Sequence, residues 1–332
     1  MAPSRVQIER VLCPVDFSEF SARALARACD VAAWFGARVT VVHVCPNVVP
    51  GGPEAPYFPV SAETMRAVRE QSREELARFV EPFLRREVPL ATEVGEGEAW
   101  RAILDAAGTL PADLVVMGTH GRNGFEHLLL GSVTEKVLRR AGCPVLVVGA
   151  EGPISARGLF RRILCAVDLS DHSRETIDTA LAFAQEGDAA VTLLHVVNAA
   201  SPGAVSALFR PLPAMDARRR ELEDQALVTL RAATPDDARE FCDVKELART
   251  GTPWREILNV ADERKADLVV MGAHGHGPIG ERLFGSTTSQ VVRRSACPVL
   301  VVRPVEVPAG TSPARAHAGE VPGRPETVGS NR

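Results

Sequence analysis

The sequence predicts an α/β protein built from two doubly wound, five-stranded parallel-sheet domains. Three observations predict it. The chain repeats itself: GTHGRNGFEHLLLGSV at 118–133 returns as GAHGHGPIGERLFGST at 272–287, with matching positions 154 residues apart. A period this long marks a duplicated domain rather than a solenoid unit, whose repeat is roughly 20–50 residues. Each copy also alternates short Val/Leu-rich runs with amphipathic stretches, the pattern of a parallel sheet buried on both faces. Finally, 332 residues of ordinary apolar content are enough for two domains, each with its own core.

In the first half the reading runs strand 11–16, helix 18–35, strand 38–45, helix 62–86, a weak strand 92–94, helix 98–107, strand 113–118, helix 132–140 and strand 144–148. The second half repeats the order: 163–168, 172–185, 190–197, 214–233, 244–248, 253–264, 267–272, 286–294 and 298–302. Right-handed crossovers between parallel strands restrict the topology. The boundaries follow: one domain over 1–150, a Gly/Ser linker at 151–159 (EGPISARGL), a second domain over 160–304, and a disordered tail at 305–332, which is rich in Pro, Gly and charge and lacks periodicity. Two irregular stretches, Pro46–Val60 and Ala199–Pro213, lie at matching places; they read as solvated connections or as flaps over the strand ends.

A net charge of −4 creates no field to attract nucleic acid or an anionic membrane. Apolar runs stop short of the roughly 18 residues that a membrane span needs, and the N-terminus lacks the apolar core of a signal peptide. The seven cysteines have no C-x-x-C or Cys/His metal spacing and read as small buried apolar residues in a reducing compartment. The expectation is a cytoplasmic protein.

The repeated glycine segment carries the chemistry. Gly118 and Gly272 end apolar strands, and Gly131-Ser132 and Gly285-Ser286 open helices. A helix N-terminus has unpaired amides and about half a positive charge, and so suits an anion. Gly121 and Gly275 let backbone approach a ligand closely. The amides of Ser132 and Val133, and of Ser286 and Thr287, can donate to phosphate oxygens. Ser132-Val-Thr-Glu135 also reads as a capping box, in which Ser132 only caps its helix. The second copy keeps the Gly-Ser pair but has Ser289 where the box needs an acid, so capping alone does not explain the repeat. Asp16 and Asp168 end their first strands. In open α/β sheets ligands bind beyond the strand carboxyl ends where the winding reverses. A reversal between strands one and four places Asp16 beside Gly118, where an acid can accept hydrogen bonds from ribose or adenine. The same acids can instead cap the following helix together with Ser18 or Ser170.

Other signals carry less. Gly275-His-Gly-Pro-Ile-Gly280 matches a dinucleotide fingerprint but follows the fourth strand, and the first copy lacks it. There is no Gly-Lys-Ser/Thr of a Walker A loop. His274 and His276 do not make a metal site, because Arg122 matches the latter. His120 and His274 recur and fit loop-orienting or phosphate-touching roles. Trp100 and Trp254 recur at the start of a helix and read as packing rather than base stacking.

These motifs resemble the universal stress protein family in its tandem form. The resemblance rests on G-x2-G-x9-G-S, intact in both copies, and on Pro-x-Asp-x-Ser, complete at Pro14–Ser18 but with Ala166 for Pro in the second half. It covers nearly the whole chain apart from linker and tail. It implies a Rossmann-like fold that binds ATP, with Mg²⁺ arriving on the nucleotide, and a sensor or regulator rather than an enzyme. The contact set it implies is Pro14, Val15, Asp16, Val44, Met117, Gly118, His120, Gly121, Arg122, Gly131, Ser132 and Val133 in the first half. In the second it is Val167, Asp168, Val196, Met271, Gly272, His274, Gly275, Gly285, Ser286 and Thr287. Val44 and Val196, each following a strand-two histidine (His43, His195), are the adenine contacts. His276 in place of Arg122 predicts a weaker second site, or one that strengthens at lower pH. The last strands, 144–148 and 298–302, are expected to pair within one chain as a pseudo-dimer, and chains can dimerise further. A slow ATPase and a nucleotide-independent scaffold or chaperone are the alternatives.

Overall fold

A computed structural model describes residues 6–45, 61–119, 130–149, 160–198, 213–273 and 285–303. The first half runs β1 (Arg10–Val15), α1 (Glu19–Phe35), β2 (Arg38–Cys45), α2 (Ala62–Val80), β3 (Leu90–Glu96), α3 (Ala99–Thr109), β4 (Leu114–Gly118), α4 (Ser132–Arg140) and β5 (Val145–Val148). The second half runs β6 (Arg162–Val167), α5 (Ser173–Gly187), β7 (Ala190–Asn198), α6 (Pro213–Ala233), the single turn α7 (Ala238–Phe241), β8 (Val244–Gly251), α8 (Pro253–Glu263), β9 (Leu268–Gly272), α9 (Ser286–Arg294) and β10 (Val299–Val302). The linker, the tail and both irregular stretches after β2 and β7 lie outside the described residues.

All ten strands form one sheet, in the order β3-β2-β1-β4-β5-β10-β9-β6-β7-β8. Within each half the pairings are parallel, and the winding reverses between β1 and β4, and between β6 and β9. The halves join antiparallel through β5 and β10. Val299 faces Val147, Leu300 faces Leu146, and Val301 faces Val145, so the seam is self-complementary about the two leucines. The expected pairing of the last strands is therefore present. It covers two sheet edges that would otherwise be open, and it turns the strand carboxyl ends of the two halves toward opposite ends of the sheet.

Period-two alternation divides each strand between two cores. Val11, Cys13 and Val15 enter a cluster with Leu25, Leu76, Ile177 and Leu230, under α1, α2, α5 and α6. Leu12 enters a second cluster with Ile103, Val137, Ile257 and Val291, under α3, α4, α8 and α9. Each cluster draws on both halves. Three elements differ from the sequence reading. The single helix 62–86 is α2 followed by a 3₁₀ turn, Glu81–Arg86, because Pro82 has no amide for the α-helical ladder. The weak strand 92–94 extends to Leu90–Glu96; as an edge strand it needs little apolar sequence. Likewise β8 continues three residues beyond 248, to Gly251.

All seven cysteines are thiols, and none is fully exposed. Burial pushes Cys29, Cys143 and Cys242 up to about 11 and raises Cys13, Cys165 and Cys297. A thiol titrating there is only about one part in a thousand thiolate at pH 8. The folded chain is expected to leave its thiols essentially unlabelled by a disulfide reagent at pH 8, and denaturation to release all seven. Rapid labelling of Cys143 or Cys165 before unfolding would contradict this burial.

Candidate functional site

In each half the first strand ends in an acid held in place by its own loop. Asp16 Oδ1 accepts from the Ser18 amide at 3.1 Å and the Ser18 hydroxyl at 2.6 Å. Asp168 Oδ1 accepts from the Ser170 amide at 3.1 Å, the Ser170 hydroxyl at 2.7 Å and the Ser173 hydroxyl at 3.0 Å. Ser18, not Asp16, caps α1, with its Oγ accepting from the Ser21 amide at 3.2 Å. The acid thus orients the serine and does not itself occupy the cap; α5 has no side-chain cap at His172.

The residue between acid and serine adopts the left-handed region in both halves: Phe17 at φ 66° and Leu169 at φ 63°. A large non-glycine residue there costs of order 1–3 kcal/mol and persists only where its surroundings hold it. Phe17 stacks on the His43 ring at 4.2 Å and meets the edge of Phe79 at 5.5 Å. His43 Nδ1 lies 2.9 Å from the Val15 carbonyl, and His195 Nδ1 lies 2.9 Å from that of Val167. A carbonyl only accepts, so Nδ1 carries the proton in each. The strand-two histidine therefore braces the end of strand one. The sequence reading did not find Phe17 and Leu169; the signal was a bulky apolar residue repeated between Asp and Ser.

The glycine element is closed at its base identically in the two halves. The Gly131 amide donates to the Thr119 carbonyl at 2.8 Å, and the Gly285 amide to that of Ala273 at 3.0 Å. The Thr134 hydroxyl donates to the Gly118 carbonyl at 2.9 Å, and the Thr288 hydroxyl to that of Gly272 at 3.0 Å. These two threonines were also missed, although each lies 16 residues after its glycine. His120, Gly121, Arg122, His274, Gly275 and His276 lie outside the described residues.

The glycines divide by purpose. A Cβ on Gly118 would sit 3.1–3.2 Å from Phe20, so this glycine serves the close approach of α1 to β4. Gly131 and Gly285 are the N-cap residues of α4 and α9 at φ −57° and −58°, where any residue is at ease, and no side chain caps either helix. That corrects the capping-box reading: Ser132 is the first helical residue, not the cap, and its side chain is exposed, as is that of Ser286. A Cβ on Gly285 would meet only the Ala273 carbonyl and Thr288 Oγ1, both at 3.4 Å. Backbone strain does not require a glycine at either position.

Of the remaining candidates, Pro14, Val15, Val167, Met117 and Met271 are buried strand residues. The side chains of Val15, Val167, Met117 and Met271 are in the cores, which leaves these four their backbone to offer a ligand. Val44 and Val196 are partly buried on the α3/α8 face. Val44 is opposite Gly95, but Val196 is opposite Arg249, which pairs with Glu263 at 3.1 Å. The two shelves therefore differ. Trp100 and Trp254 pack in the second core and lie under cations: Arg101, Lys136 and Arg140 over the first, Arg255 and Arg294 over the second, at 4.7–5.6 Å. The indole N–H of Trp100 is bonded to Glu98. Both are packing residues, as expected. Among the described residues no group of three His, Cys, Asp or Glu side chains could hold a metal, and no helix is long and apolar enough to cross a membrane.

Fold and site define a tandem, doubly wound α/β protein in which, in each half, a glycine-led helix follows the strand next to one ending in a braced acid. The universal stress protein family model matches residues 7–149 and again 159–303, and the chain belongs to that family in its tandem form. A universal stress protein of Mycolicibacterium smegmatis is 26% identical over 296 residues, which cover 89% of this chain and 97% of the relative. The universal stress protein YxiE of Bacillus subtilis is 32% identical over 148 residues, 44% of this chain and all of the relative. The crystal structure of a universal stress protein from Archaeoglobus fulgidus has the same fold, with a TM-score of 0.64 at 22% identity, covering 90% of this chain and 97% of that one.

Proposed function

We propose that this chain binds ATP at two crevices, one per half, and acts as a nucleotide-responsive regulator in the cytoplasm rather than as a catalyst. The supporting observation is the paired geometry at α4 and α9. In each half a glycine that its backbone does not need stands before an exposed, uncapped helix N-terminus. That terminus follows the strand next to one ending in a braced acid. Unpaired first-turn amides suit phosphate oxygens. Asp16 and Asp168 suit ribose or adenine donors, and Val44 and Val196 supply an apolar shelf. Mg²⁺ arrives with the nucleotide and is held by phosphate and water. In the described part of each crevice the hydroxyls beside the acids, Ser18, Ser170 and Ser173, are engaged in the turn that fixes those acids, which supports binding over turnover.

The test is direct. Purified protein, denatured and chromatographed, is expected to release adenine nucleotide. ATP at about a hundred times its Kd is expected to stabilise the fold by about 2.7 kcal/mol per site, read as a rise in Tm. An unchanged Tm at millimolar ATP, with no nucleotide released, would leave the scaffold reading in its place. Phosphate release at a steady rate from labelled ATP would establish the slow ATPase.

A further inference from the structure

The two crevices are not equally connected to the rest of the chain. The helix that opens the first crevice, α4, is held by the second half at two points. Arg293 of α9 reaches Glu135 in the first turns of α4, Nη2 to Oε2 at 3.3 Å, and the same carboxylate takes Arg139 of its own helix at 2.7 Å. Arg303, just after β10, donates from Nη2 and Nε to the Leu138 carbonyl at 2.7 and 3.2 Å. The reciprocal contacts cannot form: the pseudo-symmetric partner of Glu135 is Ser289, without charge, and that of Arg303 is Gly149, without a side chain.

Both contacts act on the helix terminus that would face phosphate. Side chains on a helix lean toward its N-terminus, so the Glu135 carboxylate leans toward the first-turn amides and opposes an incoming anion. Arg139 and Arg293 offset that charge. At the other end, the Arg303 guanidinium complements the negative end of the dipole and occupies a last-turn carbonyl. We propose that the second half sets the nucleotide affinity of the first crevice through Arg293, Arg303 and Glu135, with no matching control in the other direction. The inference rests on the ATP-binding reading and extends it to regulation: loss of Arg303, or of the Arg293–Glu135 pair, is felt at the first site.

Isothermal titration of full-length chain with Mg·ATP tests this. With the second crevice blocked by Gly285→Trp, Arg293→Gln and Arg303→Ala are each expected to weaken binding about two- to fivefold, the scale of a single charge at a helix terminus. Adding Glu135→Gln to Arg293→Gln is expected to restore it. With the first crevice blocked by Gly131→Trp, Arg303→Ala is expected to leave affinity unaltered. Hydrogen exchange supplies a readout that needs no ligand: amides of 132–140 should exchange faster in Arg303→Ala, and those of 286–294 should not. Equal weakening at both sites, or no weakening at the first while unsubstituted protein fills both, overturns the asymmetry and leaves the functional reading standing. Unsubstituted protein that binds no nucleotide overturns both.

Discussion

Gly131→Trp is expected to remove one bound nucleotide per chain, Gly285→Trp the other, and the double variant both, with the fold unchanged. The strength of the expectation comes from where these glycines lie. Each is an N-cap at a φ open to every residue, so the substitution introduces no backbone strain of the kind that a left-handed glycine would. At 285 a Cβ meets its neighbours at ordinary distance. An indole beside the first-turn amides is expected to exclude a phosphate. A Tm within about 2 °C of the unsubstituted chain would confirm that only the site is lost. The single-site variants also separate the two affinities. The site left by Gly285→Trp has Gly95 beside Val44, and the site left by Gly131→Trp has Arg249 beside Val196. His276 also stands where Arg122 does. The second site is expected to bind more weakly at pH 7 and to gain on the first as pH falls through the range in which histidine takes a proton. Equal affinities across pH 6–8 would remove any role for these differences. Full stoichiometry in the double variant would move the nucleotide elsewhere altogether.

Duplication made the fold legible. A single copy of a glycine-rich segment has many explanations, but two copies that keep the glycines while Arg122 and His276 diverge leave few. The strands were readable because a sheet buried on both faces demands unbroken apolar runs, as at Leu114–Gly118 and Leu268–Gly272. Edge strands β3 and β8 were read too short, because exposure on one side relaxes that demand. In the candidate site, residue type alone singled out candidates: Asp16, Gly131, Ser132 and their counterparts. What depends on conformation was not. Nothing in the letters says that Phe17 sits at positive φ, that the His43 ring braces a carbonyl of strand one, or that Thr134 ties helix to strand. The capping-box alternative falls because Ser132 is the first helical residue, where the reading of a helix over 132–140 already placed it. The control of α4 by Arg293 and Arg303 was beyond reach, because it exists only once β5 and β10 have paired.

Truncating Phe160 or Phe183 to alanine is expected to destabilise the chain by about 3–5 kcal/mol each, the usual cost of emptying a buried phenylalanine site. Both rings are essentially inaccessible, at 1% and 0% exposure. They also belong to the seam between the halves. Trp34 meets Phe160 edge-on at 5.4 Å, and Phe35 meets Phe183 at 5.2 Å, so the end of α1 packs into the second half. The Arg27 guanidinium lies 5.0 Å over the Phe160 ring and pairs with Asp30 at 3.5 Å, and Arg86 takes the other Asp30 oxygen at 2.6 Å. Burial pulls Arg27 below its usual range and pushes Asp30 up, each opposed by its charged neighbours. Truncating Phe160 also removes the cation–π contact with Arg27, a loss that a plain cavity does not carry. Because the rings lie 6.4 Å apart, the double variant should lose less than the two single losses together. The backbone hydrogen bonds of the two seam strands cannot replace this packing, since the β5–β10 seam is short, with three residue pairs in register. Urea unfolding is expected to split into two transitions in Phe160→Ala, the first reported by the fluorescence of Trp34, while Trp100 and Trp254 follow their own halves. A single unshifted transition would mean that the seam strands alone couple the halves.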